Sequence, residues 1–340
     1  MIIFFSLLVA HAADLPLVTW QGETMGSVYT VKIVGTNLAL PQIEALKTEL
    51  DQQLKEVNRQ MSHYLPDSEL SRFNRAPATL PFKVAMDFAR VLRFVLELNR
   101  QSQGTFDPTL GPVINLWGFG EKTDLRRTPS SAELREAMTK VGCQHLRVTA
   151  DGELIKDIPD LQLNLGGVAK GYGVDEMARV LRRHNLTNVY VSISGEVFAH
   201  GCNPKGEPWK VGIAAPISNW ASGDPFVAVL SVTGRAVSTS GDYQKYFIDA
   251  QGRRQGHIFD PQTGQPVQHD IGGVTVVAEN GMTADALTKP LFVLGVEKGL
   301  RFIEGWTNAA ALFVVRKPGD EFQLIASSRF AAMTGYKARE

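Results

Sequence analysis

The chain is poor in cysteine and has no excess of charge of either sign, and both absences exclude classes of protein. Its 340 residues include only Cys143 and Cys202, too few for a disulfide scaffold or a four-cysteine zinc site. The two could pair in an oxidising compartment or stay free thiols, which sequence alone leaves open. The 35 basic and 35 acidic residues cancel. A nucleic-acid partner is therefore not expected, because phosphate contact needs concentrated positive charge.

The chain has no apolar run long enough to span a membrane. The apolar run near its N-terminus is short. It extends from Ile2 to Ala10, whereas a membrane span takes about 20 residues. It ends in Ala10-His11-Ala12, which fits the small-x-small pattern of a secretory cleavage site. Residues 1–12 are therefore predicted to be a signal peptide of a periplasmic protein, with a buried N-terminal strand as the alternative. No Cys follows the run, so a Cys-anchored lipoprotein is not expected.

The rest of the chain mixes helical and strand patterns. Apolar residues at three- and four-residue steps predict helices over 41–59 and 84–103, and Ser130 with Glu133 forms the capping box of a third. Alternation and β-branched content predict a hairpin turning at Asp151-Gly152 and strands over 27–34, 161–165, 188–200, 209–214, 226–233, 272–278 and 309–315. These elements do not alternate as βαβ units, and no linker divides them. The prediction is an α+β fold of largely antiparallel sheets, flanking helices and intertwined subdomains.

Residues 163–173, LNLGGVAKGYG, predict a strand that leads through a glycine turn into a helix. Such a junction presents backbone N–H groups and a helix dipole to phosphate. Lys170 adds a positive charge in the first turn. The segment matches neither a P-loop nor the dinucleotide-binding fingerprint. Close packing of a helix on a strand would explain the same glycines.

Four further segments carry side chains suited to chemistry. Asp285 and Thr288 share one face of a predicted helix, where a carboxylate and a hydroxyl hold a hard cation or cap the helix. His257 precedes the Asp260-Pro261 turn, where it is a base near neutral pH or a structural residue. The aromatic residues of segments 104–109 and 115–120 stack on a planar ring or fill the core.

Taken in order, these segments resemble the ApbE family, the FAD:protein FMN transferases. The resemblance extends over about residues 20–330, which are predicted to be one domain of this type. The matching segments are residues 23–27, 61–74, 105–107 with 116–119, 166–172, 192–196, 238–243, the turn after residue 257, and 283–285.

The resemblance implies an enzyme that binds FAD with a divalent cation, usually Mg²⁺. It would transfer FMN to a Thr or Ser hydroxyl of a partner protein, forming a phosphoester and releasing AMP. The implied partner is an exported domain of a membrane redox complex, such as a sodium-pumping quinone reductase, an Rnf-type complex or a flavoprotein of nitrous-oxide respiration. Two alternatives stay open: an FAD pyrophosphatase that yields FMN and AMP, and a non-catalytic FAD-binding carrier.

The resemblance also implies roles for individual residues. The metal ligands would be the Asp285 carboxylate, the Gly167 carbonyl and Thr288, and His257 would deprotonate the acceptor hydroxyl as a catalytic residue beside Asp285. The FAD contacts would be Met25, Tyr64, Thr105, Phe106, Asp107, Asn164, Lys170 and Phe259.

This sequence departs from the family pattern beside the predicted metal ligand. Many members carry a Thr ligand four residues after the metal-binding Asp, and here Lys289 holds that position, followed by Pro290. Asn164 also stands where some relatives have Asp. An ammonium at residue 289 either weakens Mg²⁺ binding by charge repulsion or itself neutralises phosphate.

Overall fold

The structure, a computed structural model, describes residues 14–120, 126–216, 226–243, 245–319 and 321–337. The predicted signal peptide at residues 1–12 lies outside this described part. None of the helices within it combines the length and the hydropathy that a bilayer span requires.

The described residues form eight α-helices and seventeen strands, numbered here in chain order. The helices are α1 (Leu40–Met61), α2 (Glu69–Arg75), α3 (Met86–Gln101), α4 (Gly111–Leu116), α5 (Ser131–Met138), α6 (Ala169–Arg183), α7 (Gly281–Glu304) and α8 (Phe330–Thr334). The strands are β1 (Leu17–Thr24), β2 (Ser27–Val34), β3 (Phe82–Lys83), β4 (Leu146–Val148), β5 (Glu153–Lys156), β6 (Val189–Ile193), β7 (Glu196–His200), β8 (Trp209–Ala214), β9 (Phe226–Val232), β10 (Arg235–Gly241), β11 (Tyr246–Ile248), β12 (Arg254–Gly256), β13 (Phe259–Asp260), β14 (Gln265–Pro266), β15 (Ile271–Ala278), β16 (Ala309–Arg316) and β17 (Phe322–Ala326).

One large sheet organises the fold. Its eight strands lie in the order β1-β2-β6-β7-β10-β15-β16-β17, and every neighbouring pair is antiparallel. Helices α1, α6 and α7 pack on one face, and the β8–β9 hairpin and α8 lie against the other. All eight residues of β15 are buried because both faces of this central strand are covered. The predicted α+β fold with largely antiparallel sheets is confirmed.

The chain connectivity places residues from distant parts of the sequence in one core. Strands β2 and β6 are neighbours in the sheet although residues 35–188 separate them along the chain. Those intervening residues supply α1 to α6 and a small sheet in the order β3-β5-β4. The main core accordingly extends from Trp20 near the start of the described chain to Phe313 near its end.

Local sequence signals explain where several helices begin. Helix α5 begins at the predicted capping box, in which Ser130 accepts from the Glu133 N–H and Glu133 accepts from the Ser130 N–H. Helix α7 begins after Asn280, whose side chain accepts from the Thr283 N–H. Gly295 interrupts α7 with a φ of 76°, a backbone conformation that glycine adopts without a Cβ clash.

Two predicted strands differ from the structure. The segment 188–200 is a hairpin of β6 and β7, because Ser194 and Gly195 adopt φ values of 51° and 101° and reverse the chain. The segment 161–165 is not a strand and makes only one isolated bridge, between Gln162 and Leu110. The Asn74 side chain takes both backbone hydrogen bonds of Leu163, which leaves that residue none for a neighbouring strand.

The two cysteines are free thiols, each partly exposed. The Cys143 thiol donates to Asp107 Oδ1 over 3.3 Å. Burial and the nearby Asp107 carboxylate raise the pKa of this thiol well above its ordinary value. Cys143 is therefore a protonated donor and not a reactive thiolate.

Candidate functional site

Helices α6 and α7 cross so closely that their backbones touch, and the crossing brings two sequence motifs together. A side chain at Gly171 or at Gly281 would collide with the carbonyl of the other. The two helices also cap one another. Asp285 Oδ2 on α7 accepts from the Gly171 N–H at 3.0 Å, and Asp175 on α6 accepts from the N–H groups of Gly281 and Met282 at 2.6 and 2.8 Å. The position of Asp285 relative to the glycine turn is therefore fixed.

Four charged side chains meet beside this crossing. Lys170 in the first turn of α6 forms an ion pair with Glu196 of β7 over 2.6 Å. Lys289 forms an ion pair with Asp285, one turn earlier on α7. Both carboxylates are buried, and the second oxygen of Glu196 has no hydrogen-bond partner within the described residues. Sequence reasoning missed Glu196, although it ends the family-like segment 192–196.

The pKa values follow from burial and from these ion pairs. Burial alone would raise the pKa of the Asp285 carboxyl, but the ammonium groups of Lys289 and Lys170 outweigh it and lower that pKa. Burial raises the pKa of the Glu196 carboxyl despite the opposing charge of Lys170. The pKa of Lys170 is raised because Glu196 and Asp285 outweigh the opposing effect of burial. Asp285 is therefore a carboxylate and Lys170 an ammonium at pH 7.

His257 lies near this cluster in a form suited to accept a proton. Its Nδ1 contacts the Lys245 carbonyl oxygen at 3.1 Å, and a carbonyl only accepts, so Nδ1 carries the hydrogen. The lone pair is then on Nε2. Burial, with the charges of Lys245, Lys289 and Lys170, lowers the pKa of His257 to about 4. The ring is therefore neutral at pH 7.

A second histidine, His63, was missed by the sequence reasoning. Burial and the charge of Lys245 lower its pKa to about 4, so it also is neutral at pH 7. Its Cε1 faces Gly166 of the glycine turn, and its ring centroid lies 4.0 Å from that of Tyr64. The family-like segment 61–74 contains His63, but only Tyr64 was assigned from it.

The glycine turn faces the cluster directly. The Gly166 N–H donates to Asn164 Oδ1 at 2.9 Å. A Cβ added at Gly167 would lie 3.2 Å from Lys289 Cε and 3.3 Å from the Phe106 ring. The structure thus brings Gly167, Phe106 and Lys289 together with Asp285.

The predicted metal ligands, tested as a set, do not fit a divalent cation in this arrangement. Both Asp285 carboxylate oxygens accept from donors, Oδ2 from the Gly171 N–H and Oδ1 from Lys289. Thr288 is fully buried; its hydroxyl donates to the Asp285 carbonyl at 2.7 Å and lies 2.7 Å from the Ser240 hydroxyl. The described residues hold no group of three or more His, Cys, Asp or Glu side chains placed to bind a metal. The ammonium of Lys289 instead occupies the Asp285 carboxylate, and its carbon stem lies against Gly167.

Some side chains predicted to contact the flavin and the adenosine are exposed, and others already interact with the protein itself. Tyr64 is 53% exposed and lies against the His63 ring, and Met25 packs on α6 at Gly173. The Thr105 hydroxyl donates to the Ser102 carbonyl.

Two other predicted contacts have side chains that are occupied within the fold. Asp107 Oδ1 accepts from the Thr109 N–H and hydroxyl at 2.7 and 2.6 Å. The Phe259 ring packs against Trp117 and Phe119 in a small separate core. Only the backbone of Phe259 could serve as an FAD contact, as the family resemblance implies.

Comparison with known proteins identifies the family. A sequence model described as "ApbE family" matches residues 25–313. The chain is 36% identical to the FAD:protein FMN transferase of Haemophilus influenzae over 97% of this chain and 95% of the relative. It is 37% identical to the FAD:protein FMN transferase of Vibrio cholerae over 96% of each chain.

Solved structures agree. The flavin transferase ApbE from Vibrio cholerae matches with a TM-score of 0.84 and 36% identity, over 94% of this chain and 99% of that one. The apo form of the Pseudomonas stutzeri flavinyl transferase ApbE also matches with a TM-score of 0.84 and 36% identity, over 96% and 99%. The resemblance seen in the separate sequence segments is confirmed, and the chain belongs to the ApbE family.

Proposed function

We propose that this protein is an FAD:protein FMN transferase, which moves FMN from FAD to a Thr or Ser hydroxyl of a target protein. Relatives that cover nearly the whole chain are named for this activity. The observation that carries the proposal is a buried carboxylate and two ammonium groups beside a glycine turn, with a neutral histidine on which both ammonium charges act. Phosphoryl transfer needs such a site, because catalysis rests on positioning and charge neutralisation.

The residues account for the reaction as follows. The acceptor hydroxyl gives its proton to Nε2 of His257, and its oxygen forms a bond to the phosphorus of the FMN half. The bond from that phosphorus to the AMP oxygen breaks, and AMP leaves. Lys170 and Lys289 neutralise the diphosphate charge, and charge that grows on the leaving oxygens is stabilised by these fixed donors. A free hydroxyl is a weak nucleophile, so the neutral histidine supplies the base.

Magnesium is the family-level prediction for this site, with Gly167, Asp285 and Thr288 as ligands. A divalent cation would neutralise the diphosphate when bound. The carboxylate oxygens of Asp285 already accept from Gly171 and Lys289.

An incubation with FAD separates transfer from hydrolysis. Purified protein, FAD and a candidate acceptor domain should yield AMP and an acceptor that carries one covalently attached FMN. Intact mass spectrometry of the acceptor measures this gain in mass. Hydrolysis uses water in place of the hydroxyl, so it would release AMP and free FMN without an acceptor. An acceptor variant with its target Thr changed to Val is the matched control. No AMP under any condition would favour a non-catalytic FAD carrier and contradict the proposal.

The proposed target is an exported domain of a membrane redox complex: a quinone reductase, an Rnf-type complex or a flavoprotein of nitrous-oxide respiration. This proposal depends on export of the transferase itself to the periplasm. Its support is the apolar run that ends in Ala10-His11-Ala12, followed by no lipid-anchoring Cys.

Export makes a prediction about the mature chain. Protein recovered from the periplasm should begin at Ala13 or close to it, because small residues at 10 and 12 suit the processing peptidase. N-terminal sequencing checks this. Ala12→Arg should block cleavage and leave a longer chain. Recovery of the unaltered protein in the cytoplasm with Met1 retained would show that the run is not a signal peptide.

A further inference from the structure

The side chain of Lys289 ends where a bound cation would neutralise Asp285. Its ammonium forms an ion pair with Asp285 Oδ1 and donates to the Asp285 carbonyl oxygen at 3.0 Å. Its Cε would lie 3.2 Å from a Cβ at Gly167, so the side chain crosses from α7 to the glycine turn. The Lys289 side chain therefore lies between the two positions predicted as metal ligands, with its stem against Gly167 and its ammonium on Asp285.

This ammonium supplies the charge that Asp285 needs. The Asp285 side chain is fully buried, whereas that of Lys289 is 22% exposed. A buried carboxylate is strongly unfavourable without a partner of opposite charge. A divalent cation on the same carboxylate would lie close to the ammonium, and like charges repel strongly in a partly buried site.

The ammonium also keeps a donor for a ligand. A lysine has three N–H donors, and Asp285 accepts from Lys289 at two atoms. The remaining donor and the partial exposure of the side chain suit contact with an anion that approaches from solvent. Lys170 directly precedes Gly171, whose N–H donates to Asp285, so a diphosphate at the glycine turn would meet two ammonium groups.

We propose that Lys289 is the resident counter-ion of this site: its ammonium takes the charge-neutralising place of a divalent cation and binds an oxygen of the FAD diphosphate. The inference rests on the proposed transfer of FMN from FAD. It makes FAD binding by this chain largely independent of Mg²⁺, and it assigns that independence to one residue.

Direct metal binding, measured without FAD, tests whether the Lys289 ammonium takes the place of a divalent cation. Mn²⁺, followed by electron paramagnetic resonance, is the probe. Lys289→Thr removes the ammonium and adds a hydroxyl, so this variant should bind Mn²⁺ at least about tenfold more tightly than the parent, the scale of one charge-assisted contact. Lys298→Thr, the same change at an exposed position of α7, should bind Mn²⁺ as the parent does. Equal Mn²⁺ affinity of the parent and Lys289→Thr would overturn the inference.

FAD affinity, measured by calorimetry, tests whether the Lys289 ammonium binds the FAD diphosphate. Between EDTA and millimolar Mg²⁺, the parent's dissociation constant should change by less than about threefold, since its cation is built in. Lys289→Met keeps the length and loses the charge, so it should bind FAD about ten- to a hundredfold more weakly in EDTA. Lys289→Arg keeps the charge and should stay independent of Mg²⁺.

The outcomes separate this inference from the proposed function. If the parent needs Mg²⁺ for FAD binding, the counter-ion role of Lys289 is wrong while FMN transfer can still stand. If FAD does not bind under any condition, the proposed function is wrong, and the Mn²⁺ titration still decides whether Lys289 excludes a metal. Circular dichroism of each variant establishes that it is folded, and Lys289→Arg provides a charged variant should Lys289→Met fail to fold.

Discussion

Replacing Asp285 by alanine should reduce FMN transfer to background. Asp285 holds the Lys289 ammonium and accepts from the Gly171 N–H in a fully buried position. Its loss releases the ammonium from the glycine turn and removes the fixed electrostatic arrangement that phosphoryl transfer uses. Removing one such group typically costs about 10²–10³-fold in rate. Transfer is measured as FMN-bearing acceptor formed per minute at saturating FAD.

Alanine also leaves the buried Gly171 N–H without an acceptor, so stability must be separated from chemistry. An unsatisfied buried donor costs about 1–3 kcal/mol in free energy of unfolding. Asp285→Asn keeps an acceptor for the Gly171 N–H and removes only the charge, so it should fold well and still transfer FMN slowly. Asp175→Asn, at the other cap of the same helix crossing, should lower stability more than rate. Near-parent transfer by Asp285→Asn would show that the charge of Asp285 is not needed.

Local patterns in the sequence predicted the parts of the fold that local interactions determine. The helix faces, the capping box of Ser130 and Glu133, and the turn at Asp151-Gly152 each depend on residues a few positions apart. The failed strand at 161–165 depends on a partner far away. Asn74 lies 89 residues from Leu163 and takes its backbone hydrogen bonds, and no local pattern indicates that contact.

The site shows the same division. The glycine turn, Asp285 and His257 stood out because each has an unusual local setting. Glu196 and His63 have none, and they join the site only because β7 and the segment after α1 lie beside α6. The sequence also left two readings of Lys289 open. The fold places its ammonium against Asp285, and the Mn²⁺ and FAD titrations test which reading holds.

Replacing His257 by alanine should slow FMN transfer by about 10²–10⁴-fold, the usual contribution of a positioned general base. FAD affinity should stay close to that of the parent, because the base touches the acceptor hydroxyl and not the flavin. Single-turnover transfer and calorimetric FAD binding, measured on the same preparation, separate the two quantities. His184→Ala is the control, since this exposed histidine pairs with Glu49 on the surface.

The pH dependence of FMN transfer provides a second, independent test of His257. Because the pKa of His257 is lowered to about 4, the ring stays neutral down to about pH 5, and protonation removes the base only below that. Parent transfer should therefore show no fall near pH 6.5, the ordinary pKa of histidine. The folded state holds a neutral ring where the unfolded chain binds a proton, so stability should decline as pH falls from about 6.5 towards 4. Circular dichroism at each pH keeps unfolding apart from loss of the base.

His63 is the alternative candidate for the general base. Its pKa is also about 4 and it faces Gly166 of the glycine turn, so the pH profile alone does not distinguish it from His257. The two alanine variants do, because only the base that reaches the acceptor proton should cost about 10²–10⁴-fold at the transfer step. Parent-like transfer by His257→Ala across pH 6–9 would remove His257 from the reaction. A loss of that size in His63→Ala, with FAD affinity kept, would then assign the proton to His63.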